Sequence, residues 1–292
     1  MTEDKKNKKI IWICGAALAF AVILFSVLVM NFGKPEKTAY DVVIFGDSIM
    51  AYAHDDSSVA WMINNKTGLS VCDLSFGGTA MAYSSESRTP GSHKSYLCMA
   101  AISNALLADD LSVQKNIRQK DPATDYFDRR VSEMEAADIA HTDIAIIEHC
   151  INDYNSDIPI GDATSTSEYT YCGAIRVSVE NLRKINPDIR IILVTPTGFW
   201  LEDNERYDES NGEGTLSDYV AAQKMMAEEL GTEFIDLYHI YETHSEKHPI
   251  GDTGHEVIGY YYTVDGTHPN YYGRDAISDV ISEYISGNTD DI

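Results

Sequence analysis

Four short stretches of the sequence carry side chains that could together perform nucleophilic chemistry. Ser48 follows a Gly-Asp pair in "FGDSIMAYAHDD", adjacent glycines occur in "SFGGTA", and Asn152 lies in "HCINDYN". Asp265 and His268 stand three residues apart in "DGTHPN". At that spacing the carboxylate can orient the imidazole while the other ring nitrogen faces a serine hydroxyl. The set indicates acyl transfer by an activated serine, although a helix N-cap is the favoured interpretation of Ser48 taken alone.

The segments around these stretches alternate between short apolar runs and longer amphipathic ones. Five apolar runs are typical of buried parallel strands: residues 40–45, 69–76, 142–149, 189–195 and 232–238. Alternation of strands and helices predicts a doubly wound α/β sheet that ends in an amphipathic helix opened by Pro269. Because such sheets bind ligands at the carboxyl ends of their strands, we expect Ser48, the glycines and Asn152 at one edge.

In this order and on these elements, the four stretches resemble the SGNH hydrolases, also called GDSL esterases or lipases. The resemblance covers residues 45–270. It implies a flavodoxin-like three-layer α/β/α sandwich, with a five-stranded parallel sheet in the order 2-1-3-4-5. It also implies hydrolysis of esters through an acyl-serine, without a metal ion or an organic cofactor.

The resemblance implies a role for each matching residue. Ser48 would be the nucleophile, and Asp265 and His268 would complete a catalytic triad. The oxyanion hole would consist of the Ser48 N–H, the Gly78 N–H and the Asn152 side chain. These groups would hold the negative charge that develops on the carbonyl oxygen of an ester.

Two positions depart from the family pattern, and one glycine is open to choice. The third stretch has Cys150 where the family usually has a glycine that helps the loop to turn, and the second begins with Asp73 in place of asparagine. Gly78 is preferred to Gly77 because the family's glycine usually falls five residues after the polar residue that ends strand two, here Asp73. The two departures remove no donor and no triad member.

Residues 10–32 form an apolar run without a charged side chain. At about 1.5 Å per residue, a helix of this length spans a hydrocarbon core of roughly 30 Å, so a single transmembrane signal-anchor helix is predicted. A cleaved signal peptide is the alternative, but it would have a shorter apolar region followed by a small-residue cleavage site.

The lysines around this run predict the orientation of the chain. Four lysines lie in residues 1–9 and only two lie in the linker 33–39, so the positive-inside rule predicts a cytoplasmic tail. Residues 40–292 would then form a single extracellular domain, held near the membrane by the short linker.

The distribution of charge limits the partners of this domain. The whole chain has a net charge of −24, and residues 1–9 carry four lysines against two acidic residues, a net of +2, so the remainder carries −26. Such a domain repels nucleic acid and anionic lipid headgroups, which excludes both as expected partners. No disulfide is expected between Cys72 and Cys150, because strand one would separate them by about two strand spacings of 4.8 Å.

The predicted function is a membrane-anchored extracellular serine esterase for short acyl esters, with acetyl groups on cell-envelope or extracellular carbohydrate as the preferred substrate. A lipase or thioesterase for longer acyl chains is one alternative, although the acidic insert 106–125 does not resemble a lid. A non-catalytic glycan-binding module is the other. The aromatic residues Phe199, Trp200 and 260–262 are expected in the core, with stacking on sugar rings as the minority interpretation.

Overall fold

The computed structural model describes residues 20, 35–84, 96–117, 125–200, 208–247 and 258–287. The residues Thr38–Ile292 form one compact unit, which contains all of the site residues named above, and Met1–Lys37 form another. Apart from Phe20, the predicted transmembrane segment 10–32 lies outside the described residues. Within the described ranges, no helix has the length and apolar character needed to cross a bilayer.

Five strands form one parallel sheet in the order β2-β1-β3-β4-β5. They are β1 (Val42–Gly46), β2 (Val71–Asp73), β3 (Ile144–Glu148), β4 (Arg190–Val194) and β5 (Glu233–Ile235). The predicted strand number and order are confirmed. The edge strand β2 ends earlier than its apolar run because the Asp73 carboxylate accepts the Ser75 N–H at 2.9 Å and turns the chain there.

Helices connect the strands and cover the sheet. They are α1 (Ser48–Ala51), α2 (Val59–Thr67), α3 (Met99–Ala108), α4 (Ser112–Lys115), α5 (Phe127–Ala136), α6 (Ile151–Asn155), α7 (Tyr171–Ile185), α8 (Leu216–Leu230), α9 (Ile240–Lys247), α10 (Ile258–Tyr262) and α11 (Tyr271–Ile285), with a 3-10 turn at Ile139–His141. The last helix begins at Tyr271 and not at Pro269, because the Asn270 side chain accepts the N–H groups of the first turn and caps it.

Two apolar cores lie on opposite faces of the sheet. Val43 and Phe45 of β1 face the core that includes side chains of α3, α5, α7 and α8. Val42 and Ile44 face the core that includes side chains of α2 and α11. Strands buried on both faces explain the near-continuous apolar runs in the sequence, and they produce the expected α/β/α layering.

The four described cysteines outside the N-terminal segment are buried, and none of them forms a disulfide within the described part of the chain. Cys72 lies in β2 and Cys150 follows β3, and β1 pairs with both strands and therefore lies between them. The thiols of Cys98 and Cys172 are buried in the core that α3 and α7 share.

Candidate active site

Ser48 lies at the carboxyl end of β1, in the sharp turn from the strand into α1. The N-cap of α1 is Asp47, whose carboxylate accepts the Ile49 N–H at 2.9 Å, so the capping alternative for Ser48 is wrong. Gly46 is required in this turn, because a Cβ there would lie 2.8 Å from the Met50 side chain and 3.0 Å from the Ser75 hydroxyl. The cap leaves the Ser48 hydroxyl available for other contacts.

A continuous hydrogen-bonded chain connects Ser48 to Asp265 through one imidazole ring. His268 Nε2 lies 3.0 Å from Ser48 Oγ, and His268 Nδ1 lies 2.7 Å from Asp265 Oδ2. The other carboxylate oxygen of Asp265 accepts the His268 N–H at 2.8 Å, which fixes the backbone of the loop as well as the ring. The loop requires Gly266, with φ of +88°, because a Cβ there would clash with the Trp200 carbonyl oxygen.

The surroundings of Asp265 favour its ionised form. Partial burial acts to raise the pKa of Asp265, but hydrogen bonds from the His268 ring and from the backbone N–H groups of His268 and Thr267 hold the pKa below its usual value. An ionised carboxylate at this position fixes the tautomer in which Nδ1 carries the proton and Nε2 accepts one from Ser48. Tyr52 stacks on one face of the His268 imidazole, with ring centroids 5.2 Å apart.

Asn152 approaches the same point from α6, after β3. Its side-chain amide donates to Asp47 Oδ2 and to the carbonyl oxygen of Thr79, both at 3.0 Å. The Asp47 carboxylate therefore accepts from the amide as well as capping the helix of Ser48, and it fixes the two elements relative to each other. A ligand oxygen beside Ser48 would compete with Thr79 for the second amide proton.

The two glycines after β2 differ in what their N–H groups do. The Gly77 N–H donates to the Tyr126 hydroxyl at 2.8 Å, whereas no described residue accepts the Gly78 N–H. Gly78 has φ of +73°, a conformation that favours glycine. Of the two, only the Gly78 N–H is therefore available to a ligand at Ser48.

Comparison with known proteins identifies the family of this chain. The sequence model of the GDSL-like Lipase/Acylhydrolase family matches residues 44–276, which is most of the chain. The chain belongs to this family. It is therefore a serine ester hydrolase of the GDSL-like type. No curated protein matches the chain.

Solved structures share the fold of this GDSL-like chain at low sequence identity. A protein from Lactobacillus plantarum is 16% identical, with a TM-score of 0.56, over 87% of this chain and 98% of the other. An acetyl xylan esterase is 14% identical, with a TM-score of 0.51, over 84% of this chain and 99% of the other. At sequence identities this low, the structural similarity shows a shared fold alone.

The structure accommodates both residues that depart from the usual GDSL-like pattern, Asp73 and Cys150. Asp73 pairs with the buried Arg130, whose guanidinium lies 2.7 Å from Asp73 Oδ2 and also donates to the Asp73 carbonyl oxygen. Cys150 has φ of −174°, which lies outside the positive range that favours glycine, and its side chain is buried. The turn after β3 therefore needs no glycine in this GDSL-like chain.

Asp153 connects the second and third stretches. Its carboxylate is buried and accepts the N–H groups of Met81 and Ala82, at 2.7 and 3.0 Å. Burial raises the pKa of Asp153 to about 7, against these hydrogen bonds. The side chain holds the loop that carries Gly78 against α6, which agrees with the structural role that its position beside Asn152 suggests.

A further buried carboxyl group, that of Glu148, lies beneath Asp47 and escapes detection in the sequence. It is the last residue of β3, is fully buried, and its Oε2 accepts the Asp47 N–H at 3.4 Å. Its Oε1 has no partner among the described residues. Burial, and next the negative charge of Asp47, raise the pKa of Glu148 well above its usual value. These effects favour the neutral form of Glu148 beside Asp47, whose own pKa burial raises to about 6.

The Glu148→Gln variant tests this pair through the pH dependence of stability. Because the folded-state pKa of Glu148 is raised, its neutral form stabilises the fold fully below the unfolded value of 4.5, and this contribution is lost as pH rises. Glutamine stays neutral, so the stability of the variant relative to wild type should increase with pH, by at most about 1.4 kcal/mol per pH unit. Urea unfolding across a pH series measures the difference.

The matched control for this prediction is Glu180→Gln, which changes a carboxylate whose side chain is 49% exposed. Its unfolding free energy should follow that of wild type at every pH. Parallel curves for Glu148→Gln and wild type would contradict the neutral state of Glu148.

Of the aromatic residues named from the sequence, Trp200 and Tyr262 lie in the core, as expected, and Phe199 and Tyr261 pack against it partly buried, whereas the side chain of Tyr260 lies outside the described part of the structure. Trp200 is 6% exposed and Tyr262 is 1% exposed, and the latter stacks on Tyr241. Exposed aromatic side chains occur instead at positions that the sequence does not distinguish. In the described part of residues 38–292 they are Tyr52, Trp61, Tyr169, Tyr271 and Tyr272, of which Tyr52 stacks on His268.

Proposed function

We propose that Ser48, His268 and Asp265 are the catalytic triad of this serine esterase, with the Ser48 N–H, the Gly78 N–H and Asn152 as its oxyanion hole. The observation that carries the proposal is the hydrogen-bonded chain from Asp265 Oδ2 through the imidazole to Ser48 Oγ, with distances of 2.7 and 3.0 Å. Both distances are within the range for proton transfer between heavy atoms.

The reaction would proceed in two acyl-transfer steps. As Ser48 Oγ bonds to the ester carbonyl carbon, its proton passes to His268 Nε2, and the carbonyl oxygen becomes an oxyanion held by the three donors. The imidazolium, stabilised by Asp265, then gives the proton to the departing alcohol. In the second step His268 takes a proton from water, the resulting hydroxide attacks the acyl-serine, and the carboxylic acid leaves as Ser48 regains its proton.

We propose a short acyl ester of a carbohydrate as the substrate, with acetyl as the preferred acyl group. The net charge of −26 outside residues 1–9 opposes docking on anionic lipid surfaces and leaves glycans as suitable partners. A protein of the same fold is an acetyl xylan esterase, so the fold is compatible with removal of acetyl groups from a polysaccharide.

The test of the substrate class is an ester chain-length profile of the purified full-length chain in detergent. We expect kcat/KM to be highest for p-nitrophenyl acetate, and to fall for the octanoate and palmitate esters, with acetate released from an acetylated polysaccharide. A value of kcat/KM that rises with chain length, without acetate release from any glycan, would favour the lipase alternative.

We further propose that residues 10–32 anchor the chain in the cell membrane, with residues 1–9 in the cytoplasm and residues 40–292 outside. The uncharged apolar run and the excess of lysines before it support this proposal. Protease added to intact cells should digest the large domain and spare the first nine residues. Protection of the large domain until the cells are lysed would contradict the orientation.

A further inference from the structure

A groove of about 320 Å³ lies beside the edge strand β2, between α2 and α5. Its walls include Trp61 and Asn64 from α2 and Arg129 from α5. These helices precede β2 and β3, and a helix between parallel strands runs antiparallel to them. The first turns of α2 and α5 therefore lie at the carboxyl edge of the sheet, where Ser48 also lies.

The loop between α1 and α2 joins this groove to the catalytic histidine. Tyr52 in this loop stacks on His268, and His54 packs on Tyr126 with ring centroids 3.9 Å apart. The Tyr126 hydroxyl in turn accepts the Gly77 N–H next to the nucleophile. His54 lines the groove. One face of the loop thus contacts the proposed triad while another forms the near wall of the groove.

Arg274 holds this loop in place from the other side. Its guanidinium donates to the Ser57 carbonyl oxygen at 2.6 Å and to the Pro269 carbonyl oxygen at 2.7 Å. Pro269 follows His268 directly, so a single buried arginine connects the histidine loop to Ser57, the residue next to Ser58 in the wall of the groove. The distance between groove and nucleophile is therefore fixed by packing and hydrogen bonds.

The side chains in the groove suit an uncharged sugar. Trp61 is 45% exposed, and an indole ring offers a flat apolar face for the C–H face of a pyranose. Asp55 and Asn64 provide polar atoms beside it for hydroxyl groups. Burial lowers the pKa of His54, which favours the neutral imidazole, whose ring can both donate and accept a hydrogen bond.

The charges in the groove nearly cancel. Two arginines face three carboxylates, so the groove has no excess of positive charge with which to select an acidic sugar. The arginines are Arg129 and Arg130, and the carboxylates are Asp55, Asp73 and Glu133. The negative charge of the whole domain further opposes a polyanionic glycan.

We propose that this groove binds the uncharged sugar units of an O-acylated glycan, with Trp61 as the stacking platform, while the ester of a neighbouring unit lies at Ser48. This inference rests on the proposed function, because it assigns a binding site to the alcohol part of the substrate. A small aryl ester such as p-nitrophenyl acetate would reach Ser48 without entering the groove.

The Trp61→Ala variant distinguishes binding of the glycan part of the substrate from reaction of the ester part. With short O-acetylated xylo-, cello- and manno-oligosaccharides, we expect kcat/KM to fall about tenfold, mainly through KM, because a lost aromatic contact of this kind is worth about one factor of ten. With p-nitrophenyl acetate, kcat/KM should stay within a factor of about two. This unchanged activity also shows that the variant is folded.

Two further variants make the comparison specific. Trp61→Phe keeps an apolar ring and should recover part of the affinity for oligosaccharides. Tyr169→Ala removes a side chain with the same 45% exposure that packs against Tyr83 outside the groove, and it should leave both activities unchanged. Equal losses in Trp61→Ala and Tyr169→Ala would overturn the assignment of the groove.

A binding measurement distinguishes failure of this inference from failure of the proposed function. Calorimetry with the Ser48→Ala chain and the unacetylated oligosaccharides should detect binding, and Trp61→Ala in the same background should weaken it about tenfold. If p-nitrophenyl acetate is hydrolysed but no oligosaccharide binds, or Trp61 has no effect on binding, the groove inference is wrong and the esterase stands. If no ester is hydrolysed, the proposed function is wrong. The same calorimetry then still shows whether the groove binds oligosaccharides through Trp61.

Discussion

Ser48→Ala and His268→Ala are each expected to lower kcat for p-nitrophenyl acetate by a factor of about 10⁴–10⁶, to a similar residual level. Ser48 Oγ and His268 Nε2 lie 3.0 Å apart, and neither can form the acyl-enzyme without the other. Because residues of such a unit act together, the double variant should be about as slow as either single one. Initial rates at saturating substrate measure the effect.

The chain provides a matched control for the histidine variant. His141 Nδ1 lies 2.8 Å from Asp138 Oδ2, at the same three-residue spacing as the pair of Asp265 and His268, but on an exposed turn at the opposite end of β3 from Glu148. His141→Ala should keep wild-type activity. Near-normal turnover by His268→Ala would show that the hydrogen-bonded chain is not the catalytic one.

Asn152→Ala is expected to lower kcat by about 10²–10³ and to change KM little. The amide would stabilise an oxyanion that exists only in the transition state, and loss of one such donor has an effect of this size. Steady-state kinetics with p-nitrophenyl acetate separate the two parameters. Asn155→Ala, which changes an exposed asparagine in the same helix, is the control and should have no effect. A rise in KM at constant kcat would instead assign Asn152 to ground-state binding.

The sequence predicts the framework of this fold because its signals are local. Strands buried on both faces produce continuous apolar runs, and their alternation with helices specifies a parallel sheet. The pairing of Asp265 with His268 is likewise encoded by a spacing of three residues within one loop. Local patterns of this kind can be read without knowledge of tertiary contacts.

The remaining features depend on contacts between distant residues. The Gly77 N–H donates to the Tyr126 hydroxyl, 49 residues away, and this contact supports the preference for Gly78 that the family spacing implies. The partner of Asp73 is Arg130, 57 residues away. Neither pairing leaves a pattern in the sequence, because each depends on how α5 packs at the edge of the sheet.

Glu148 and the exposed aromatic residues illustrate the same limit. A glutamate at the end of a strand usually faces solvent. The register of β3 instead places Glu148 in the interior, beneath Asp47. Trp61 occurs beside buried residues of α2, yet it is 45% exposed and lines the groove between α2 and α5. Burial of a single side chain is set by packing, which a single sequence does not specify.

The most direct test of the central claim is to map the adduct of a fluorophosphonate probe on the folded chain by mass spectrometry. Such probes react with a serine hydroxyl that a neighbouring base has activated. The hydrogen-bonded chain through His268 predicts a single adduct on Ser48, which is absent in His268→Ala and unaffected in His141→Ala. A folded chain that leaves Ser48 unmodified, or that carries the adduct on another serine, would contradict Ser48 as the nucleophile.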